Sequence, residues 1–299
     1  MSTARTLVGT MRVPFLLLPP VCVALGVVSA AWAGGPVDVG RALLVLLGAV
    51  AAHVSVNMFN EWHDCRTGLD ATTQRTPFSG GSGSLQAHPE ALSATLLGAS
   101  AALGLTIGIG LWLMTHQGLA LLPIGAVGAL LVVAYTPWIT HRPLLCLLAP
   151  GLGFGTLMVV GTDVAVSGAH HVATYVASLV PLLLVSGLLF LNQFPDVEAD
   201  RAVGRRHIPM LWGRPRAARL FAVLVLAPQA VVLVAVALAV LPPQALLMGL
   251  ALPLAVVVAR GALRHADDLP ALVPTMGRNV ALTLVTPLLL AIGLAWAAW

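Results

Sequence analysis

The sequence predicts an all-α integral membrane protein with about nine transmembrane helices around a central cavity. The chain is 59% hydrophobic and only 9% charged, with a mean hydropathy of +0.95. Long charge-free stretches recur along it, a pattern that excludes an ordinary soluble domain. Runs of about 17 to 25 apolar residues can cross a hydrocarbon core of about 30 Å as helices, which satisfy their own backbone hydrogen bonds in lipid.

The apolar segments divide into nine candidate spans within a single domain that covers residues 1–299. The turn sequence LPPQ, Leu241 to Gln244, splits one charge-free stretch into the seventh and eighth spans. The run that begins at Pro14 is expected to be a first span rather than a cleaved signal. We predict spans near 14–33, 42–60, 91–115, 118–135, 143–162, 172–193, 220–241, 244–259 and 280–298.

The basic residues predict the orientation of the chain. All fifteen are arginines, and with nine spans only Arg41 lies on the side away from the N-terminus. The positive-inside rule then makes the N-terminus and the large loops cytoplasmic. We expect the membrane to be a bacterial-type inner membrane. The net charge of +4 is explained by this topology and indicates no nucleic-acid partner. The sequence indicates no obligate protein partner either, and its three cysteines have no paired or zinc-type spacing.

Two polar segments interrupt the apolar sequence, and they hold six of the eleven acidic residues. The first segment is NEWHDCRTGLD, Asn60 to Asp70, and the second is NQFPDVEAD, Asn192 to Asp200. Their polar residues recur every four positions, which places them on one helix face if each helix continues past the membrane. Oxygen-rich, sulfur-free groups of this kind suit Mg²⁺, with substrate phosphate and water completing its coordination. Solvated helix caps or ion pairs are the structural alternative for either segment alone.

The two polar segments occupy corresponding places in the two halves of the chain. Three pairs, Arg12 with Arg142, Asn60 with Asn192, and Arg75 with Arg205, are separated by 130, 132 and 130 positions. We therefore predict two four-helix repeats, about 12–135 and 142–260, followed by the ninth helix at 280–298. Repeats related by an axis along the membrane normal would bring both segments to one end of a shared cavity.

These motifs resemble those of the UbiA-type intramembrane prenyltransferases, and most closely the 1,4-dihydroxy-2-naphthoate polyprenyltransferases of menaquinone synthesis. The resemblance extends over nearly the whole chain and rests on both acidic segments with five further motifs. These are RVPFLLLPP at 12–20, RTPFSGGSG at 75–83, AYTP at 134–137, GLGFGTLMVVGT at 151–162 and the extension of the second segment to NQFPDVEADRAVGRR at 192–206.

The resemblance implies Mg²⁺-dependent transfer of a polyprenyl group from its diphosphate to an aromatic acceptor within the lipid bilayer. Metal ions and Arg donors would neutralise the charge of the departing diphosphate in a water-poor site. The implied metal ligands are Asn60, Glu61, Asp64, Asp70, Asn192, Asp196 and Asp200, of which Asp64 and Asp196 are expected to be catalytic. The diphosphate is expected to contact Arg75, Arg205, Asn57 and Arg142, since the forked donors of Arg suit phosphate oxygens.

Two further side chains are candidates for the chemistry on the prenyl group. Tyr135 resembles a family tyrosine whose ring faces the allylic carbon, although a tyrosine of the interfacial aromatic belt would look the same in sequence. His53 lies in helical phase with Asn57 and Asn60, so it could take the acceptor's proton. The alternative for His53 is a buried ring bonded to the carbonyl of a neighbouring helix.

The sequence departs from the family pattern at two places. Glu61 stands where the family has Asp, and LLCLLAP, residues 144–150, replaces a Gly-Glu element expected to help hold the acceptor. This second departure keeps open a different acceptor, or a membrane terpene cyclase that needs none. A transporter is a third possibility, but transport sites lie at the bilayer midplane rather than at one face. The glycines Gly80, Gly81 and Gly83 predict a flexible lid over the site.

Overall fold

The computed structural model describes residues 3–69 and 75–299, and these residues form helices, turns and loops without any β-strand. Eight of the helices are long and apolar enough to cross a membrane. A ninth apolar helix is shorter. In chain order they are α1 Val13–Trp32, α2 Val39–Thr67, α3 Pro89–Gln117, α4 Leu121–Ala134, α5 Pro143–Ser167, α6 Val172–Ala202, α7 Arg214–Ala237, α8 Pro243–Arg264 and α9 Leu269–Ala298.

The fourth predicted span corresponds to the short helix α4. At 14 residues it is about 21 Å long, less than the hydrocarbon thickness of about 30 Å. The all-helical membrane architecture is confirmed, whereas the count of nine crossings and the two-repeat arrangement stay predictions.

Helix α6 is the centre of the bundle. In the most apolar 18-residue stretch of α6, 67% is buried inside the protein, compared with 11% of the corresponding stretch in the peripheral helix α3. It contacts α1, α5, α7 and α9, and its side chains form much of the main hydrophobic core. Because the second polar segment is the last part of this helix, the core fixes that segment in place.

Glycine lets α5 approach α6 closely. At Gly151 and Gly155 an added Cβ would collide with the backbone of Leu182 in α6. The same part of α5 contains Pro150 and a π-helical stretch, Leu152–Val160, which widens the helix where it faces the interior.

The ends of α2 and α6 extend beyond the predicted membrane spans. Helix α2 begins after Asp38, whose carboxylate accepts a hydrogen bond from the Arg41 amide at 3.0 Å. It ends at Gly68, whose positive φ of 74° is the left-handed conformation that glycine adopts most readily at helix ends. Both polar segments are therefore largely helical.

The predicted start of the last helix, near residue 280, is wrong. Helix α9 begins at Leu269, after Asp268 accepts a hydrogen bond from the Ala271 amide at 3.2 Å. Pro270 suits the first turn of a helix, where its missing N–H costs nothing. The apolar pattern misses this start because the first turns of α9 precede the charge-free stretch.

We expect Gly155→Ala to lower the stability of the bundle, whereas Gly153→Ala should not. The Cβ of the first variant would lie 2.6 Å from Leu182 Cα, while the second meets nothing within 4 Å. Overpacking of this kind costs about 1–3 kcal/mol. Thermal unfolding of the detergent-solubilised protein would measure it, and equal melting temperatures for the two variants would contradict the close α5–α6 approach.

Candidate active site

A polar cavity of about 110 Å³ lies where the ends of α2 and α6 meet. Both predicted polar segments contribute to it, although 132 positions separate Asn60 from Asn192. The polar lining residues are Arg12, Asn60, Asp64, Ser79, Tyr135, Thr140, Cys146, Asn192, Gln193, Asp196, Asp200, Arg205 and His207. The structure thus brings the two segments to one end of the bundle.

Arg205 joins the two polar segments directly. Its Nη1 donates to Asp200 Oδ1 at 3.1 Å, and its Nη2 donates to Asp64 Oδ1. All three side chains are largely buried, with exposed fractions of 12%, 6% and 8%. Burial alone would lower the pKa of Arg205, but the two carboxylates outweigh burial and raise its pKa above the ordinary value. Arg205 therefore remains a permanent cation between two buried carboxylates.

Further hydrogen bonds orient the same two carboxylates. The second oxygen of Asp200 lies 3.0 Å from Nε2 of the buried His207. Asn60 donates to Asp64 Oδ2 at 3.1 Å and to the Thr136 hydroxyl at 3.3 Å. The i, i+4 spacing of Asn60 and Asp64 thus gives the shared helix face that the sequence predicts.

Asn192 and Asp196 present oxygen atoms that remain open. Within the described part of the chain, the Oδ1 atoms of both side chains are buried and have no hydrogen-bond partner. Buried polar atoms are normally satisfied, so such orphans need a ligand, an ion or water. Both residues line the cavity, so these oxygens are candidate ligands for an ion or a substrate in it.

Glu61 points away from the cavity that its neighbours Asn60 and Asp64 line. Its carboxylate is fully buried and accepts from Arg12 Nε at 2.8 Å, from the Ser82 amide at 2.7 Å and from the Ser82 hydroxyl at 2.7 Å. The structure therefore occupies both oxygens of this predicted metal ligand with protein donors.

A second, mainly apolar chamber adjoins the polar cavity. The two share four lining residues, Arg12, Phe78, Leu189 and Asn192. The apolar chamber is also lined by side chains from α1, α2, α5, α6 and α9: Pro14, Phe15, Leu17, Leu18, His53, Asn57, Phe154, Leu188, Val280, Thr283 and Leu284.

His53 and Asn57 face this apolar chamber, as their helical phase with Asn60 predicts. The His53 ring packs edge to face on the Phe154 ring, with the two ring centroids 4.6 Å apart. Among the described residues, the buried Nδ1 of His53 has no hydrogen-bond partner. Among the described residues, Nδ1 of His53 therefore does not form the alternative hydrogen bond to a carbonyl of a neighbouring helix. Asn57 instead uses its amide to donate to the Met11 carbonyl at 3.0 Å, which anchors the chain before α1.

Tyr135 lies at the end of α4 and lines the polar cavity. This position distinguishes Tyr135 from a tyrosine of the lipid-facing aromatic belt.

Two predicted diphosphate ligands lie outside the cavity lining. Arg75 is exposed and packs against Gly83, and Arg142 is exposed with its guanidinium 5.9 Å from the Trp138 ring. Neither forms an ion pair with those predicted metal ligands that the structure describes. Asp70, predicted as a metal ligand, lies outside the described residues.

Sequence reasoning missed several lining residues. Neither the repeat pairing nor the RVPFLLLPP motif predicts a place in the site for Arg12, although it lines both chambers. Gln193 donates to the Cys146 sulfur at 3.3 Å on the cavity wall. His207 follows the second segment, and its closeness to Asp200 in sequence was the available signal. For Arg12, the available signal in the sequence is its position just before the first predicted span, on the same predicted side of the membrane as the first polar segment.

These features define a polytopic helical membrane protein whose buried site joins a carboxylate-rich cavity to an apolar chamber. The model of the UbiA prenyltransferase family matches residues 17–276 of the chain. The chain therefore belongs to the UbiA prenyltransferase family.

A known protein of related sequence supports this family membership. The chain is 25% identical over 189 residues to 1,4-dihydroxy-2-naphthoate octaprenyltransferase from Bacillus subtilis (strain 168), a match that spans 62% of this chain and 59% of that relative.

Solved structures share the fold. A UbiA homolog from Aeropyrum pernix K1 superposes with a TM-score of 0.70 at 18% identity, covering 98% of both chains. A UbiA homolog from Archaeoglobus fulgidus bound to GPP and Mg²⁺ superposes with a TM-score of 0.60 at 16% identity, covering 96% of this chain and 99% of that one.

We expect Arg205→Met to destabilise the protein strongly, because it leaves Asp64 and Asp200 as buried, uncompensated carboxylates. Removing one partner of a buried ion pair costs about 3–5 kcal/mol. The matched control Arg75→Met removes an exposed arginine and should leave the melting temperature nearly unchanged. Equal melting temperatures for both variants in detergent would contradict the bridging role of Arg205.

Proposed function

We propose that this protein transfers a polyprenyl group from polyprenyl diphosphate to an aromatic acceptor inside the membrane, in a Mg²⁺-dependent reaction. The observation that carries the proposal is the meeting of two aspartate-bearing helix ends beside an apolar chamber. A polyprenyl diphosphate has the matching form, since it combines an anionic head with a long apolar tail.

Relatives support the reaction class and suggest the acceptor. The family is named for prenyl transfer, the Bacillus subtilis relative for octaprenyl transfer to 1,4-dihydroxy-2-naphthoate, and the Archaeoglobus fulgidus homolog binds GPP and Mg²⁺. We propose 1,4-dihydroxy-2-naphthoate as the first acceptor to test, which would place the enzyme in menaquinone biosynthesis.

The donors at the cavity fit Mg²⁺. The open Oδ1 atoms of Asn192 and Asp196 are hard oxygen ligands, and Asp64, Asp200 and Asn60 lie on the same cavity. Among the described residues no three His, Cys, Asp or Glu side chains form a metal-binding group by themselves. Mg²⁺ usually takes only one or two carboxylates and completes its shell with water and substrate phosphate. When bound, the ion would neutralise charge on the leaving diphosphate.

The chain itself supplies further positive charge to the diphosphate. Arg205 lies between the two carboxylates, and Arg12 lies where the polar and apolar chambers join. Within the described residues Arg12 bonds to Glu61 through Nε alone, and its two terminal nitrogens could donate to phosphate oxygens. Fixed donors in a site poor in water stabilise a departing anion far better than donors in solution.

The apolar chamber would hold the isoprenoid and the reacting partner. Phe15, Leu17 and Leu284 give it walls without charge. The neutral ring of Tyr135 could stabilise positive charge that develops on the allylic carbon. His53 lies in this region, and its Nδ1, which has no hydrogen-bond partner among the described residues, could take the proton that the aromatic acceptor loses.

A membrane terpene cyclase is the second candidate. Helix α5 carries no acidic residue before Asp163, and Asp163 itself is bonded to His171 and Ser167 away from the two chambers. An acidic group that could hold an acceptor is therefore missing from this helix. A cyclase would ionise the same diphosphate without needing such a group.

We expect purified protein, given Mg²⁺, a labelled polyprenyl diphosphate and 1,4-dihydroxy-2-naphthoate, to form a prenylated aromatic. Chelation by EDTA should stop diphosphate release, and added Mg²⁺ should restore it. Mass spectrometry of the products separates the candidates, because a cyclised hydrocarbon would support the cyclase instead. If no acceptor and no condition gave diphosphate release, both candidates would be refuted.

We expect Asp64→Ala and Asp196→Ala each to lower the rate of diphosphate release by about 100-fold or more, the size of losing one electrostatic contribution to catalysis. Glu198→Ala is the matched control, because this residue lies in the same segment as Asp196 but is exposed and paired with Arg201. Gel filtration would verify that the variants are folded. Full activity in either Asp variant would contradict the proposed ligand set.

A further inference from the structure

We infer that Glu61 is a positioning residue that holds loop 76–84 and Arg12 over the site and so keeps water from the allylic carbon. The inference rests on the proposed prenyl transfer. It gives Glu61 a function different from that of the metal ligands beside it in the sequence.

The first argument is how completely Glu61 is engaged. A carboxylate has about four acceptor positions. Three of those on Glu61 are filled, one by Arg12 Nε and two by the amide and hydroxyl of Ser82, at 2.7 to 2.8 Å. The side chain has no exposed surface and lines neither chamber. A buried carboxylate with these three partners is fixed in place and does not reach the substrate.

The second argument concerns what Ser82 holds. Loop 76–84 includes Phe78, Ser79, Gly80 and Gly81, which all line the polar cavity. Gly80 and Gly81 have φ values of 83° and 74°, a conformation that other residues rarely adopt. The Ser82 hydroxyl also accepts from the Ser84 amide at 3.1 Å, which ties the loop to the short helix Ser84–Ala87. Glu61 thus attaches one end of a cavity wall to α2.

The other end of the loop is ordered by a turn that presents Phe78. The Thr76 hydroxyl accepts from the amides of Phe78 and Ser79 at 3.1 and 2.9 Å. Phe78 lines both chambers, and its ring packs so closely on Gly277 of α9 that a Cβ there would lie 3.1 Å from it. Phe78 therefore covers the junction between the polar and apolar chambers.

The third argument is the backbone of Arg12. This residue has a φ of 53°, a left-handed conformation that costs a non-glycine residue about 1 kcal/mol or more. Its bond to Glu61 is the ion pair that holds its side chain at the junction of the chambers. Glu61 consequently fixes two separate parts of the enclosure, the loop and Arg12.

Enclosure matters because two nucleophiles compete for the allylic carbon. In either reaction the carbon–oxygen bond to diphosphate breaks, and its electron pair leaves with the diphosphate. In transfer, a ring carbon of the acceptor bonds to the allylic carbon and then loses a proton. In hydrolysis, a water oxygen forms that bond and releases a proton, which gives the prenyl alcohol. Excluding water therefore favours transfer.

The test measures loop opening and product identity in Glu61→Gln. The matched control is Glu198→Gln, the same change at an exposed glutamate. Hydrogen–deuterium exchange, without Mg²⁺ or substrate, should show roughly tenfold faster exchange of the Ser82 amide in Glu61→Gln, because a hydrogen bond to a charged carboxylate is replaced by a weaker one to a neutral amide oxygen. The prenyl alcohol should then rise by a similar factor relative to the prenylated aromatic, while the Mg²⁺ concentration that gives half-maximal diphosphate release should not change.

The outcomes distinguish the positioning residue from a metal ligand and from the proposed function. A large shift in the Mg²⁺ requirement, or unchanged exchange and product ratio in Glu61→Gln, would overturn the inference while the wild-type activity stands. If Glu61→Gln does not fold, Ser82→Ala tests the same contact, with exposed Ser93→Ala as its control. Failure of the wild-type protein to release diphosphate would instead refute the proposed function.

Discussion

The ion pairs of Arg205 with Asp64 and Asp200 connect parts of the chain that are 141 positions apart and determine where the site forms. Uncompensated charges are costly at the end of a membrane helix bundle, so the three groups stabilise the bundle only when they meet. Their meeting aligns the ends of α2 and α6, and that alignment gives the polar cavity its two acidic walls. His207 and Asn60 then orient these two carboxylates, whereas the Oδ1 atoms of Asn192 and Asp196 in the second segment have no hydrogen-bond partner among the described residues.

The same contact constrains the topology. Helices α3, α4, α5 and α6 lie between Asp64 and Asp200, and the two carboxylates can meet at one end only if the chain crosses an even number of times between them. This favours counting α4 as a crossing despite its 14 residues. Hydropathy detects α4 because its composition is apolar, but it cannot decide whether a helix of this length spans the bilayer. A contact between distant residues carries that information, and a sequence read in windows does not.

Residue spacing predicts much of the site, because the face on which a residue lies depends only on the geometry of its own helix. Asn60 and Asp64 share a face, as do His53 and Asn57, and the acidic segments are continuous with α2 and α6. The choice among arginines could not be predicted in this way. Arg75 and Arg205 occupy equivalent places in the expected repeats, yet of the two only Arg205 lines the cavity. There it bonds to Asp64 and Asp200, whereas Arg75 is exposed beside Gly83. Glu61 shows the same limit: it lies next to Asn60 in sequence but about 100° around the helix, where it meets the 76–84 loop.

The polar residues of the two segments therefore fall into two groups, and this difference bears on the order of binding. Asp64 and Asp200 are already compensated by Arg205, whereas Asp196 and Asn192 have open oxygens. Arg205 cannot turn to an incoming diphosphate without leaving two buried carboxylates uncompensated. A divalent cation at the open oxygens would supply the missing charge. Within the proposed function, cation and diphosphate then stabilise each other's binding, and this coupling is reciprocal. An enclosed site that gains its full positive charge only when the cation and the diphosphate are both bound has little tendency to ionise its substrate while water can still enter.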